Sequence, residues 1–375
     1  MRLALLPPAC VLLLACGGGG GAAGRPAVEG GAAPVLVSGP APRVVPLGGS
    51  WTFTAAATGD GLAYQWRKGG SAIPGAAAST YAFTPASLQD GGSLDVVVSN
   101  GAGSVTSPAV VVKVVPAQGP WTLDLKLSVG ATPDAFGPPS TFVSQAGVAS
   151  LAKRSNGQLV ALFQWFPFSD PASFDQVAAS FSSDGGRTWT APKACTFTGI
   201  PAGYQRPFDP TVTVKEDGSL RVYFTSNVSG SATGFNSATS PDGLTWTFEP
   251  GSRFTPSRGT VDCAVARWNG QWHLVSPIGA PSEGAYHAVS DDGLTFTRLA
   301  DIPSVGGVNW TGNLAVVYGA LRFYGTPGSG LWFSATADGT TWSAPAGVGI
   351  QGGDPAVVEA EPGRWILVAT GPPGS

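Results

Sequence analysis

Charged residues are scarce in this chain, making up only 11% of its 375 residues, against about 25% in ordinary soluble domains. The formal net charge is −3, so the sequence offers no basic surface for nucleic acid or for an anionic membrane. It contains two histidines and four cysteines, and these form no cluster with metal-ligand spacing. We therefore expect no metal, no cofactor and no nucleic-acid partner.

Turn-forming residues, in contrast, are abundant. The 54 glycines and 33 prolines separate many short runs that are rich in Val, Phe, Trp and Thr. Such short runs with frequent turn signals are typical of all-β proteins. The length is sufficient for two or three domains with well-buried cores.

The N-terminus has the pattern of a secretory signal. Met1-Arg2 carries one positive charge, and the apolar stretch that ends at Ala15 is too short for a spanning helix. Leu13-Leu14-Ala15-Cys16 resembles the bacterial lipobox. That resemblance implies a signal peptide over residues 1–15, acylation of Cys16 and attachment to the outer membrane or cell surface. The alternative is an ordinary signal in which Cys16 is accidental.

The residues that follow Cys16 favour the lipoprotein reading. Residues 16–34 are almost entirely Gly, Ala and Pro, which cannot form a core and which behave as a flexible tether. A tether of this kind is what a membrane-anchored domain requires. We expect contact with the membrane through the lipid alone.

Residues 35–116 predict a small β-sandwich. Trp51–Ala55 alternates like a half-buried strand, Tyr64-Gln65-Trp66 supplies a candidate core Trp, and Asp90–Asn100 has the pattern of a turn followed by a strand. These landmarks resemble an immunoglobulin-like domain, although Ala55 and Val96 stand where that family often has a disulfide. The resemblance implies a spacer or an adhesive module.

A motif of Asp and Gly that is followed by Thr and an aromatic residue occurs four times in residues 121–375. Its aspartates are separated by 58, 50 and 46 residues, a spacing typical of one propeller blade per repeat. The copies resemble the Asp-boxes (BNR repeats) of sialidase-like propellers, in which the Asp stabilises its own turn. We interpret all four aspartates as structural: Asp184, Asp242, Asp292 and Asp338.

Five strand pairs that are each joined by a tight turn accompany the four motifs. This count predicts a five-bladed β-propeller whose last blade ends after two strands. The early strand Trp121–Val129 would complete that blade and close the ring. Six blades would require a whole blade within residues 121–146.

The starts of the innermost strands should surround the upper mouth of the channel. Asp209, Asp262 and Asp354 each open such a strand, and Glu283 lies in an upper loop. The arrangement resembles five-bladed arabinanase-type hydrolases, although Val148 and Trp310 occupy the other two rim positions. If this rim hydrolyses a glycosidic bond, Glu283 is the candidate acid and Asp262 the candidate base or nucleophile, with Asp209 and Asp354 tuning its charge. Alternatively, Asp-Pro simply ends a turn and begins a strand.

Other side chains near this rim are suited to sugars, since a glycan needs hydrogen-bond donors and flat apolar surfaces. The candidate substrate-binding residues are Arg206, Arg258, Tyr204, Trp310 and Trp165. We expect the upper face to bind a glycan or glycoprotein, with glycoside hydrolysis (arabinanase- or sialidase-like) and protein-binding adhesion as the alternatives. The motif that marks the first arginine of true sialidases is missing. Whether Cys195 and Cys263 pair is open.

Overall fold

The computed structural model describes residues 31–228, 230–256, 258, 260–279, 281–326 and 330–373. The predicted signal peptide, Cys16 and most of the predicted linker lie outside these residues. Within the described part the structure is strands, turns and three short 3₁₀ helices at Leu88–Asp90, Pro120–Thr122 and Pro281–Glu283. No helix in that part has the length and apolar character to span a membrane. The described part of the chain is therefore all-β, as predicted.

The N-terminal domain contains ten strands. They are β1 (Val35–Ser38), β2 (Arg43–Pro46), β3 (Trp51–Thr54), β4 (Ala56–Thr58), β5 (Ala63–Lys68), β6 (Ser71–Ala72), β7 (Thr80–Phe83), β8 (Gly92–Asn100), β9 (Gly103–Thr106) and β10 (Val110–Val115). The main sheet has the order β2-β10-β8-β5-β6, with β9 beside β8, while β3 pairs with β7 and β1 with β4.

The core of this domain is apolar. Trp66 on β5 is fully buried and its ring centroid lies 6.4 Å from that of Phe53 on β3, so the two sheets pack face to face. Ala55 and Val96 are buried in the same cluster. The immunoglobulin-like assignment itself stays a prediction.

The second domain contains the other strands. They are β11 (Asp124–Gly130), β12 (Ser140–Val143), β13 (Ala146–Lys153), β14 (Leu159–Trp165), β15 (Gln176–Ser182), β16 (Lys193–Ala194), β17 (Thr196–Thr198), β18 (Phe208–Val214), β19 (Leu220–Ser226), β20 (Gly234–Ser240), β21 (Thr245–Phe254), β22 (Ala264–Trp268), β23 (Gln271–Pro277), β24 (Ala285–Ser290), β25 (Thr297–Arg298), β26 (Asn309–Val317), β27 (Ala320–Thr326), β28 (Trp332–Thr336), β29 (Ala346–Gly347), β30 (Gly353–Glu361) and β31 (Arg364–Gly371).

These strands form five sheets whose innermost members β13, β18, β22, β26 and β30 are neighbours in a ring. We call the sheets blades 1 to 5 in that order. Blade 5 has the strand order β12-β11-β31-β30, so strands from near the start and the end of the domain pair within one sheet. Residues 124–143 thus supply two strands to blade 5 rather than a sixth blade. This pairing removes the free edge that β31 would otherwise expose.

The hydrophobic core of the propeller lies between successive blades. The cluster between blades 1 and 2 is representative, because it joins Leu162 of β14, Phe224 of β19 and Trp246 of the second Asp-Gly motif. Trp246 is fully buried. Equivalent clusters lie at the other four junctions. The aromatic residue that ends the motif therefore packs between blades.

Each Asp-Gly motif lies in the turn that links the third and fourth strands of its blade. In blade 2 the N–H groups of Leu244 and Thr245 donate to Asp242 Oδ1 over 2.8 Å each. Ser240 Oγ donates to the same oxygen and accepts from Gly243 N–H. These hydrogen bonds to the charged form lower the pKa of Asp242, with the Thr245 N–H as the main cause. The aspartate thus organises the turn.

Gly243 is required in this turn for two reasons. Its φ of +81° is in the left-handed region, and an added Cβ would lie 3.0 Å from the ring of Phe181 in blade 1. Arg154, from the first-to-second turn of blade 1, donates to the Pro241 carbonyl. The Asp-Gly turns and the first-to-second turns therefore share the lower face, which is opposite the rim aspartates.

Replacing Asp242 with alanine is expected to lower the free energy of unfolding by roughly 1–2 kcal/mol, because exposed turn N–H groups lose a charged acceptor. Ligand retention by the folded protein should be unchanged, since this turn lies on the lower face. Urea unfolding and a binding assay at the same temperature measure the two quantities. Asp60→Ala, in a turn of the N-terminal domain, is the control. Loss of binding with unchanged stability would contradict this placement.

Candidate functional site

The candidate site is built on irregularities at the start of the innermost strands. In β18 the pairing with β19 shifts between Phe208 and Thr211, and in β30 the pairing with β31 shifts between Gly353 and Ala356. Asp209 and Asp354 lie in these shifts. Their φ angles are +49° and +47°, and Asp262 has +64°. Aspartate tolerates this left-handed conformation better than most residues, so the sequence suits the bulge.

Blade 1 has the same backbone with a different side chain. Val148 has a φ of +51° and lies in the register shift between Gly147 and Ser150. A β-branched residue is strained in this region. The rim position of blade 1 is thus built like the others but carries no carboxylate.

Threonines of the preceding blade hold these bulges in place. The N–H of Asp262 donates to Thr225 Oγ1 over 3.2 Å, and that of Asp354 donates to Thr326 Oγ1 over 2.7 Å. The N–H of Val148 donates to Thr370 Oγ1 over 3.1 Å in the same way. Each threonine lies at or next to the end of the second strand of its blade. The sequence interpretation missed these residues, although their repeated position was a readable signal.

The three rim carboxylates are close enough to influence one another's ionisation. Burial raises the pKa of Asp262 well above its usual value, and the charges of Asp354 and Asp209 raise it further. Burial and the Asp354 charge raise the pKa of Asp209 to about 7, against the opposing effects of Arg206 and the Thr225 hydroxyl. We call Asp209, Asp262 and Asp354 the rim triad.

Asp354 is the member of the triad that most readily carries the charge. Burial raises its pKa, but hydroxyl groups of Thr311 and Thr326 hydrogen-bond to its carboxylate and oppose this rise. Asp262 has only the N–H of Gly312 to oppose burial and two like charges. The charge should therefore reside on Asp354 and a proton on Asp262. The sequence interpretation, in contrast, gave Asp262 the role of base or nucleophile and Asp354 that of tuning its charge.

Glu283, the predicted acid, forms an ion pair with Arg258, the predicted substrate-binding residue. The guanidinium favours the charged carboxylate, whereas a general acid must hold a proton near neutral pH. The geometry therefore argues against Glu283 as the acid. It also engages Arg258 within the protein rather than leaving it to a substrate.

Arg206 lies beside the triad, as the sequence suggested. Its guanidinium forms an ion pair with Asp175, lies 5.8 Å from the ring centroid of Phe208 and acts on the charge of Asp209. Asp175, the last residue of the upper loop of blade 1, was not among the predicted site residues. Its φ of +67° was not evident from the local sequence.

The predicted aromatic residues have different environments. Trp310 is 2% exposed and packs between blades 3 and 4, with its ring centroid 5.0 Å from that of Trp332. It therefore offers no face to a sugar ring. Trp165 and Tyr204 are half-buried, and the Tyr204 ring meets Phe248 edge-on at 6.1 Å.

The rim residue of blade 4 is Thr311 rather than Trp310. The register of β26 with β27 places Asn309 opposite Thr326 and Gly312 opposite Gly325. Thr311 Oγ1 lies 2.7 Å from Thr326 Oγ1. An added Cβ on Gly312 would lie 2.1 Å from the Tyr324 carbonyl oxygen, so the backbones approach closely there.

The sequence expectations extend to the two described cysteines and to possible metal ligands. Cys195 and Cys263 are both free thiols, so they do not form a disulfide with each other. No three His, Cys, Asp or Glu side chains among the described residues are arranged to hold a metal ion.

No family model matches the sequence, and no curated protein matches it. Among solved structures, an α-L-arabinofuranosidase from Clostridium thermocellum is similar at 14% identity over 60% of this chain and 82% of that chain, with a TM-score of 0.48. A protein of unknown function from Dyadobacter fermentans is similar at 12% identity over 91% of this chain and 100% of that chain, with a TM-score of 0.42.

The tandem immunoglobulin repeats of Dlar are similar at 22% identity over 22% of this chain, with a TM-score of 0.21. The chain spans about half of that structure, namely 48% of its length. All three similarities have TM-scores below 0.5.

Proposed function

We propose that this protein is a carbohydrate-active propeller that hydrolyses a glycosidic bond at the rim triad. The observation that carries the proposal is the meeting of carboxylates from blades 2, 3 and 5 in one electrostatically coupled cluster. Glycosidic cleavage needs one carboxyl group that is protonated near neutral pH and another that is charged. Burial and like charges provide this difference within the triad.

The chemistry assigns a role to each carboxylate. Asp209, with a pKa raised to about 7, can donate its proton to the leaving glycosidic oxygen and recover it from solvent. Asp354, charged and hydrogen-bonded by two hydroxyls, accepts a proton from the water that attacks the anomeric carbon. Asp262 stays protonated and modulates the charge of the other two.

Substrate contacts are proposed for three of the predicted residues. Arg206 lies beside Asp209. It contacts Asp175 through one guanidinium nitrogen, whereas Arg258 contacts Glu283 through two, so Arg206 has further donors suited to sugar hydroxyls or a uronate carboxylate. Tyr204 and Trp165 are only half-buried, so each retains surface for a sugar ring. Arg258 and Glu283, which form an ion pair, and the buried Trp310 are not part of this proposal.

Glycan binding without hydrolysis is the second candidate. It is favoured by the engagement of Glu283 with Arg258 and by Val148, which leaves the rim position of blade 1 without a carboxylate. Under this proposal the triad is a structural feature of the bulges. Binding would then depend on the upper loops alone.

One experiment separates these candidates. The purified protein is incubated with arabinan, xylan, galactan and sialylated glycans, and retention and released sugar are scored separately. Retention with release supports hydrolysis. Retention without release supports binding, and absence of both across the panel overturns both in favour of a protein-binding propeller.

We also propose a lipid anchor at Cys16, on the basis of the lipobox-like residues that precede it. Cys16→Ser is expected to leave the protein unacylated and to move it from the membrane fraction to the soluble fraction, because the acyl chains supply the membrane affinity. Detergent partitioning and intact mass measure this. Cys10→Ser, within the predicted signal peptide, is the control. A soluble and unmodified wild type would refute the proposal.

A further inference from the structure

The N-terminal domain is attached to the upper face of the propeller by a packed contact. One face of β2 and β10 presents Val44 and Val115, which are 1% and 4% exposed and pack with Phe166 and Phe174 of blade 1. The Val44 N–H donates to the Phe168 carbonyl over 2.8 Å. Lys113 Nζ lies 4.4 Å from the ring centroid of Phe174. The contact combines apolar, hydrogen-bonding and cation–π interactions.

The propeller side of this contact is a single upper loop, residues 166–175, between β14 and β15. Its aromatic residues Phe166 and Phe174 pack with ring centroids 5.6 Å apart. Trp121 of the 3₁₀ helix Pro120–Thr122 also packs on Phe174, with ring centroids 5.7 Å apart. Gln145 holds the first part of the loop, because its carbonyl and side-chain oxygens accept from the N–H groups of Phe166 and Phe168. The N-terminal domain adds Val44, Val115 and Lys113 to the packing of the loop.

The end of the same loop reaches the rim triad. Asp175 accepts from Gln164 Nε2 over 3.0 Å and forms an ion pair with Arg206. Arg206 in turn acts on the charge of Asp209. A continuous chain of contacts thus runs from Val44 through the loop to Asp209.

We propose that the N-terminal domain is a positioning element for the rim triad: it clamps loop 166–175 and so holds Asp175 and Arg206 beside Asp209. This differs from the role of a spacer or adhesive module, which the sequence alone suggested for the domain. The inference that the clamp serves catalysis rests on the proposed function. The inference that the N-terminal domain holds loop 166–175 in place does not. A substrate that enters beside Arg206 would therefore contact side chains that the clamp already holds in position.

Strand β2 of the interface provides a matched pair of substitutions. Val44 faces the propeller, whereas Val45, the next residue on β2, is 2% exposed and faces the core of its own domain. Val44→Ala and Val45→Ala therefore remove the same atoms from opposite faces of one strand. A role limited to the stability of the N-terminal domain should affect both variants alike.

Hydrogen exchange tests the clamp. In Val44→Ala of the full chain, we expect the amides of Asp170, Ser173 and Asp175 to exchange about tenfold faster than in Val45→Ala, because the loop loses packing. Equal exchange rates in the two variants and in wild type would overturn the proposal, and so would an equal increase in both variants. Phe174→Leu, which removes the ring but keeps an apolar side chain, should act in the same direction as Val44→Ala and serves if Val44→Ala does not fold.

Titration of Asp209 tests the positioning. The charged groups that face Asp209 are Arg206, Asp175, Asp354 and Asp262. We expect the carboxyl midpoint of Asp209, followed by ¹³C NMR, to rise in Val44→Ala because Arg206 is held less firmly, and not to move in Val45→Ala. Faster loop exchange with an unmoved midpoint would overturn the positioning role. Neither readout needs a substrate, so a protein that releases no sugar would refute the proposed function without deciding this one.

Discussion

Asp354→Asn is expected to lower sugar release by a factor of about 10² to 10⁴, the range that general acid–base groups contribute. The amide keeps the shape of the side chain and its hydrogen bonds to Thr311 and Thr326, but it cannot accept a proton from water. Since Asn tolerates the left-handed backbone at this position, the bulge should persist. Steady-state kinetics on the substrate found in the panel measure the effect.

The control for this prediction is Asp217→Asn. Asp217 is an exposed lower-face residue whose pKa is lowered to about 2, mainly by hydrogen bonds from Ser219. Asp217→Asn makes the same chemical change at the opposite end of the blades, so the turnover of this variant should equal that of wild type. Substrate retention by Asp354→Asn should also remain. Turnover within a factor of about three of wild type would exclude Asp354 as the base.

Asp209→Asn is expected to stabilise the protein at neutral pH while it reduces turnover. The pKa of Asp209 is raised from 3.8 to about 7, first by burial and then by Asp354. A carboxyl group with a raised folded-state pKa destabilises the fold once the pH exceeds the unfolded-state value. The wild type therefore loses stability between about pH 4 and pH 7, and the asparagine variant avoids that part of the loss.

The size of this effect is bounded by linkage. A shift of this extent, at 1.36 kcal/mol per pKa unit, sets an upper limit of about 4 kcal/mol. We expect about 2 kcal/mol, because Arg206 and Thr225 lose a charged partner. Urea unfolding at several pH values from 4 to 8 measures the difference in free energy of unfolding. This difference between wild type and Asp209→Asn should disappear at pH 4.

Asp242→Asn is the contrasting control. Its pKa is lowered by backbone N–H groups, so the wild-type residue contributes stability above about pH 4 and loses it as the pH falls. The variant should therefore be less stable than wild type at neutral pH. A destabilised Asp209→Asn variant with the same pH profile as Asp242→Asn would show that the rim triad is not electrostatically strained.

Local patterns were sufficient for much of the architecture. Glycine with a left-handed backbone follows the aspartate in each predicted turn, as for Gly243 and Gly293, because short hairpins need that conformation wherever they occur. Hydrophobic runs of strand length and the count of strand pairs indicated five sheets. The pairing of β11 with β31 followed from the need to cover an edge. The turns depend on residues that are adjacent in sequence, and the number of sheets and the closing pair follow from the number of strand pairs.

The roles of the rim residues were not accessible in the same way. Asp262, Asp354 and Glu283 are similar carboxylates in sequence, and their differences arise from partners far along the chain. Thr326 binds Asp354 across 28 residues, and Arg258 pairs with Glu283 across 25. Proton affinity depends on burial and on charges within a few ångströms, which sequence order does not give.

By itself, the sequence determined the strand-and-turn character, the repeat and the face on which the rim aspartates lie, because periodicity and turn chemistry are local. Only the tertiary structure decided that Trp310 is core, that Thr311 occupies the rim of blade 4 and that Asp175 joins Arg206 beside Asp209. It also brought Val44 against Phe174, since such contacts form only when the ring of blades closes and the N-terminal domain packs on its upper loop.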